Sequence, residues 1–251
     1  MTDALLTLEN VTVTFGALRA NDKVSLAVPA SQRRAIIGPN GAGKTTLFNA
    51  IAGVHPVSGG TITYDGRRIT RMRVDQRARM GIARTFQITN LFGGLTVEEN
   101  VQLAARGIGR RKFSLFGTCM SRDEEEATIE RAIDDSGLGS KRSDPTRTLS
   151  YGEQRQLELA LALVARPRLL LLDEPAAGLS PAERVDMAAT IRALPREMTL
   201  ILIEHDMDLA LRLVDYVTCL YDGKVLVEDV PANIRSNSEV QEIYLGKARH
   251  A

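Results

Sequence analysis

The chain has 251 residues and a mass of 27.4 kDa, room for one large domain or two small ones. Hydrophobic residues at 44% and charged residues at 25% exclude a disordered or collagen-like chain. Thirty-two basic side chains against 31 acidic ones leave a net charge of +1, so no global charge argues for nucleic acid.

The chain opens with strand signals. Leu6, Leu8, Val11, Val13 and Phe15 alternate, with a slip near Glu9 and Asn10, and residues 24–28 read as a second strand. Residues 34–37 form a short strand ending in glycine. Residues 45–52 then read as a helix stopped by Gly53, with Pro56 beyond. Residues 61–69, turning at Asp65-Gly66, read as a hairpin. The middle is helical. Thr96 with Glu99, and Ser121 with Glu124, are capping-box pairs, and Gly137 closes the second helix. Residues 106–120 show no clear period. A third helix begins at Ser150, with Leu157, Ala160, Leu161 and Val164 predicted on one apolar face. Residues 169–172 and 199–203 are continuous apolar runs of the kind buried in parallel sheets. Ser180-Pro181-Ala182-Glu183 starts a helix, residues 206–214 continue as another, residues 217–227 turn at Asp222-Gly223, and a helical tail follows. Strands alternating with helices predict an α/β core, interrupted by helices at about 96–166.

The longest apolar run, residues 159–165, is far short of the roughly 20 residues a membrane helix needs, so a membrane role is expected to come through a partner. Cys119 and Cys219 cannot build a disulfide framework, and the first residues lack the basic start of a signal peptide. Both point to a reducing, cytosolic setting.

Chemistry concentrates in a few segments. Gly38-Pro39-Asn40-Gly41-Ala42-Gly43-Lys44-Thr45 matches the phosphate-loop pattern. Its glycines let backbone amides turn toward phosphate oxygens, Lys44 adds a mobile positive charge, and Thr45 offers a hydroxyl to Mg²⁺. The following helix directs its N-terminus at the anion. This pattern, between an apolar strand and a helix, implies nucleotide binding. Asp173 and Glu174 end a buried strand where open α/β sheets bind ligands. Asp173 suits Mg²⁺, and Glu174 suits a general base for an attacking water. Ser150, Gly152 and Glu153 start a helix as a capping box, and such a helix start is also an anion site. His205 leaves the strand at 199–203 beside Glu204 and Asp206, placed for a γ-phosphate contact.

Taken together, these segments resemble an ATP-binding-cassette (ABC) ATPase along essentially the whole chain. The resemblance implies a P-loop NTPase core with an N-terminal antiparallel β region and a helical subdomain at about 96–166, all within one ATP-binding domain over residues 1–251. It implies that Phe15 stacks on adenine, that Gly38 to Thr46 hold the phosphates, and that Gln87 joins Mg²⁺ to the helical subdomain. Asp173 would then organise Mg²⁺, Glu174 would be the catalytic base, His205 the switch histidine, and Ser150 and Gly152 the signature that meets a second subunit's ATP. Tyr151 and Glu153-Gln154 depart from the general signature, and Ser180 stands where the broad family often has Asp.

Arg84-Thr85-Phe86-Gln87, the segment from Leu91 to Val101, the segment from Asp173 to Leu179, and Ile243-Tyr244-Leu245-Gly246 resemble more narrowly the ATP-binding subunits of bacterial branched-chain amino acid importers. Urea-type importers and lipopolysaccharide-export ATPases share much of that pattern. Asp229 departs from it, where the family commonly has glycine. The resemblance implies ATP and Mg²⁺ as ligands, transmembrane permease subunits and a homologous or identical ATPase subunit as partners, and a periplasmic binding protein indirectly. It implies no nucleic acid, and a peripheral place on the cytoplasmic face of the inner membrane. A non-transport ABC ATPase and a P-loop kinase are the rival readings. The first usually carries coiled coils, tandem cassettes or basic extensions; the second would leave the Ser150 and His205 segments unexplained. Finally, Leu91 and Phe92, flanked by Gly93 and Gly94, predict a partly exposed apolar loop for a permease to cover. The nearby Arg106, Arg110, Arg111 and Lys112 are set to meet acidic headgroups.

Overall fold

The computed structural model describes residues 4–85, 91–108 and 121–244. In chain order the elements are β1 (Ala4–Phe15), β2 (Leu18–Pro29), β3 (Arg33–Ile37), α1 (Lys44–Ala52), β4 (Gly59–Tyr64), β5 (Arg67–Arg68), α2 (Val74–Arg79) and β6 (Ile82–Arg84). There follow α3 (Val97–Ile108), α4 (Arg122–Asp135), α5 (Tyr151–Leu163), β7 (Leu169–Asp173), α6 (Pro181–Ala193) and β8 (Thr199–Ile203). The chain continues as α7 (Met207–Leu213), β9 (Tyr216–Tyr221), β10 (Lys224–Asp229), α8 (Pro231–Ser236) and α9 (Ser238–Tyr244). These fall into two compact units. One comprises Met1–Ile82, Leu169–Glu174 and Arg196–Ala251; the other comprises Ala83–Arg168 and Pro175–Pro195.

The first unit holds two sheets. An antiparallel sheet runs β2-β1-β4-β5, and a mixed sheet runs β10-β9-β3-β8-β7-β6. The expected slip in β1 is a register shift between Leu8 and Val11, where Asn10 adopts φ 50° and its N–H donates to Ser25 Oγ at 2.8 Å. The second strand is longer than predicted, because residues 18–23 are mostly polar yet pair with β1 as far as its turn. In the mixed sheet β3 lies between β8 and β9 and runs parallel to both, and β7 runs parallel to β8. Every residue of β3, β7 and β8 is buried. Each buried Leu or Ile there contributes about 1.5–3 kcal/mol of transfer free energy, which drives these strands to the centre. Their shared direction brings Gly38, Asp173–Glu174 and Glu204–His205 to one edge of the sheet.

One brace was invisible in the sequence. The hexapeptide of α2 is polar, yet Arg77 on it is buried. Its Nη1 donates to Ala50 O and Ile51 O at 2.6 Å each, its Nε to Met72 O at 3.0 Å and its Nη2 to Thr70 O at 3.2 Å. It thereby satisfies last-turn carbonyls of α1 that a helix leaves without partners. Burial pushes this guanidinium down to about 10.

In the second unit α3, α4 and α5 pack on one another, and α6 packs on α5. The capping boxes at Thr96, Ser121, Ser150 and Ser180 are all formed. The apolar face of α5 is broader than predicted. Leu159, Ala162 and Leu163 are buried beside Leu157, Ala160 and Val164, and Leu161 is only half-buried, because helices flank α5 on more than one side.

Candidate nucleotide site

The loop between β3 and α1 is held open by glycine and tied down from three sides. Gly38 has φ 147°, and a Cβ on it would lie 2.2 Å from Leu220 O. Gly43, the N-cap of α1, has φ 93°, and a Cβ there would lie 2.3 Å from Ala20 O and 2.5 Å from Asn21 Nδ2. Any L side chain at either place would displace backbone. Asn21 Nδ2 donates to Gly43 O at 3.1 Å, Gly223 N to Ala42 O at 3.2 Å, and Gly38 N to Tyr244 Oη at 2.7 Å.

Phosphate fits this geometry. No side chain caps α1, so its first-turn amides are offered to an anion, and Lys44 stands at the same helix start. Lys44 is buried, and its Nζ donates to Gly38 O at 2.8 Å and to Pro39 O at 2.9 Å. Burial pushes its ammonium below the ordinary value, while Glu174, Cys219 and Asp173 push the other way. Burial in turn pushes the Cys219 thiol up to about 11, offset in part by Lys44.

At the same sheet edge Asp173, the last residue of β7, is buried. Glu174 follows with φ 49°, a left-handed conformation uncommon outside glycine, fixed by donation of its N–H to Ile203 O at 3.0 Å. Strained residues of this kind cluster at working sites. The turn delivers Glu174 Oε1 to within 2.8 Å of His205 Nε2. The carboxylate side chain is 16% exposed and the imidazole 48% exposed, so one group is sheltered and the other reaches solvent. A carboxylate so placed can accept a proton from water while the imidazole fixes its orientation. Thr45 and Asp173 carry oxygen donors of the kind Mg²⁺ takes. Phe15 is 46% exposed and packs edge-on against His55, the ring centroids 5.4 Å apart at 83°. That leaves an aromatic platform for a base. All these groups belong to the first unit.

The second unit carries the helix start at Ser150. Ser150 Oγ accepts from Glu153 N at 3.2 Å, and Glu153 Oε2 accepts from Ser150 N at 2.7 Å. Tyr151 is turned toward Gly178, whose added Cβ would lie 3.1 Å from Tyr151 Cε1, and Arg155 Nη2 donates to Tyr151 Oη at 2.7 Å. Gln87, Cys119, Arg110, Arg111, Lys112 and Leu245-Gly246 lie outside the described residues.

Sequence reasoning missed Asn21, His55, Glu183 and any role for Tyr244. Tyr244 had a signal in its place in the tail segment, and Glu183 in the helix start at Ser180; Asn21 and His55 are ordinary residues whose contacts are long-range.

A family model described as ABC transporter matches residues 21–177. The chain belongs to the ABC transporter family. It is 39% identical over 255 residues to the high-affinity branched-chain amino acid transport ATP-binding protein BraF of Pseudomonas aeruginosa, covering 99% of this chain and 100% of that one. The solved ADP conformation of MJ1267, an ATP-binding cassette of an ABC transporter, superposes with a TM-score of 0.85 at 28% identity, covering 98% of this chain and 100% of that one. The dimeric structure of MJ0796, a bacterial ABC transporter cassette, gives 0.75 at 25% identity, covering 90% and 98%. The cassette described here is therefore an ATP-binding, ATP-hydrolysing subunit. Among the described residues no helix is long and apolar enough to cross a membrane.

Proposed function

We propose that the cassette powers import of branched-chain or similar apolar amino acids through transmembrane permease subunits, fed by a periplasmic binding protein, from the cytoplasmic face of the membrane. The observation that carries this reading is full-length similarity to BraF at 39% identity. The whole chain serves as one ATP-binding domain, and residues at about 96–166 form its helical subdomain.

In this reading ATP lies on the first unit. Phe15 stacks on adenine, and the amides from Gly38 to Thr46 with Lys44 hold the phosphates. Thr45, Asp173 and Gln87 would hold Mg²⁺, which would neutralise charge on the phosphates. Glu174 takes a proton from water as that water's oxygen bonds to the γ-phosphorus and the β–γ bridging bond breaks. His205 holds Glu174 and faces the γ-phosphate. Ser150 and Gly152 serve the ATP of a second copy or a homologous subunit, a reading supported by the dimeric form of MJ0796. Closure driven by ATP and reopening after hydrolysis move the permease through the helical subdomain.

The test is reconstitution. The cassette, purified with candidate permease subunits, is placed in proteoliposomes with a candidate binding protein, and ATP-driven uptake of labelled leucine, urea and lipopolysaccharide precursor is compared. Leucine uptake is expected. Vigorous ATPase activity with urea uptake and no leucine uptake would overturn the amino-acid reading.

A further inference from the structure

The capping box at Ser150 serves the amides of Ser150 and Glu153 and does not reach the amide of Gly152. That amide is engaged by a carboxylate 31 residues along the chain: Gly152 N donates to Glu183 Oε1 at 3.0 Å. The other oxygen of Glu183 closes the box of α6, with Oε2 accepting from Ser180 N at 3.0 Å and from Ser180 Oγ at 2.7 Å. One carboxylate thus bridges the starts of two helices, where negative charge is stabilised. Hydrogen bonds from Ser180 first, then from Gly152 and Ser150, hold its carboxyl below the usual carboxylate range. The fit around it is close. A Cβ on Gly152 would lie 2.8 Å from Glu183 Oε1 and 2.9 Å from Glu183 Cγ, so a side chain at 152 would push the Glu183 carboxylate aside.

We propose that Glu183 is a positioning residue for ATP-driven dimer closure, whose carboxylate holds the Gly152 amide and yields it when the terminal phosphate of the second copy's ATP docks. The inference rests on the reading that Ser150 and Gly152 serve phosphate in trans. A single N–H cannot serve a carboxylate and a phosphate oxygen at full strength, and two anions side by side repel. Closure therefore includes an exchange of one anion for another. Glu183 sets its cost and keeps the helix start ordered beforehand.

The test uses the full chain in a Glu174→Gln background, where closed dimers accumulate. ATP is titrated and dimer formation followed by analytical ultracentrifugation, with ATP affinity of the monomer measured separately. Glu183→Gln retains the capping box, for which glutamine serves as well as glutamate, but replaces a charge-assisted bond by a neutral one. The ATP concentration for half-dimerisation is expected to fall roughly tenfold, the difference between ionic and neutral hydrogen bonds. Monomer affinity and melting temperature are expected to hold. Glu183→Ala, which removes the acceptor, is expected to lower the midpoint at least as far. An unchanged or raised midpoint in both variants would overturn the proposal and leave Glu183 a structural tie. Ser150→Arg in the same background separates the two readings. If it abolishes dimers while the Glu183 variants change nothing, only the Glu183 proposal falls. If it dimerises normally, the in-trans reading falls, and this proposal with it.

Discussion

The buried amide of Gly38 donates to the phenol of Tyr244 at 2.7 Å, fastening the last described helix to the first residue of the phosphate loop. The phenol is itself pushed up to about 12 by burial, so it stays protonated through the physiological range. Tyr244→Phe would keep the packing and leave the Gly38 N–H without its acceptor. An unmet buried amide costs about 1–3 kcal/mol. Urea unfolding should show that loss, and ATP titration a several-fold weaker affinity. Unaltered stability and affinity would show that another group serves the amide.

Glu174→Gln should retain ATP binding and lose turnover by about 10²–10⁴-fold, the usual range for removing a general base. His205→Ala should also slow hydrolysis, because Glu174 Oε1 loses the partner 2.8 Å away. Steady-state ATPase assays with parallel nucleotide titrations check both. Near-normal turnover in Glu174→Gln would take Glu174 out of the role.

Lys44→Ala should weaken nucleotide binding itself. Its Nζ sits on the carbonyls of Gly38 and Pro39 and is the mobile cation of the loop. Losing a charge-assisted contact to phosphate should reduce affinity by at least about tenfold. A fluorescent ATP analogue reads this directly, with circular dichroism to confirm folding. Equal affinity would count against the phosphate-loop assignment.

Phe92 is 59% exposed, which favours the loop at 91–95 as a permease contact. Its shape depends on the buried Asn100, whose Oδ1 accepts from Phe92 N at 2.9 Å and whose Nδ2 donates to Phe92 O at 3.1 Å, Thr96 O at 2.9 Å and Thr146 Oγ1 at 2.9 Å. Asn100→Ala should destabilise the chain by about 2–3 kcal/mol through unmet buried groups. It should also speed amide exchange at 91–96 and weaken permease coupling more than basal ATPase activity. Crosslinking of Phe92→Cys to permease in membranes tests the contact; no crosslink in an assembled transporter would remove the loop from it.

Much of this was legible in the sequence because local chemistry suffices for it. The glycines of the phosphate loop, the capping boxes at Thr96, Ser121 and Ser150, the Asp65-Gly66 turn and the apolar runs at β7 and β8 each announce a conformation within a few residues. Burial then forces Asp173 and Glu174 to the end of a central strand. Other features depended on which strands became neighbours. Pairing β7 with β8 brings His205 to Glu174, and pairing β3 with β9 brings Gly223 to Ala42; both pairings are matters of long-range packing. Arg77 looks like a surface residue on a polar hexapeptide until the end of α1 arrives with two carbonyls to satisfy. Glu183 reads as an ordinary capping residue until α5 packs on α6 and presents the Gly152 amide. Hydrogen bonds between residues far apart in sequence leave no periodicity or spacing behind, so the tertiary structure alone decided them.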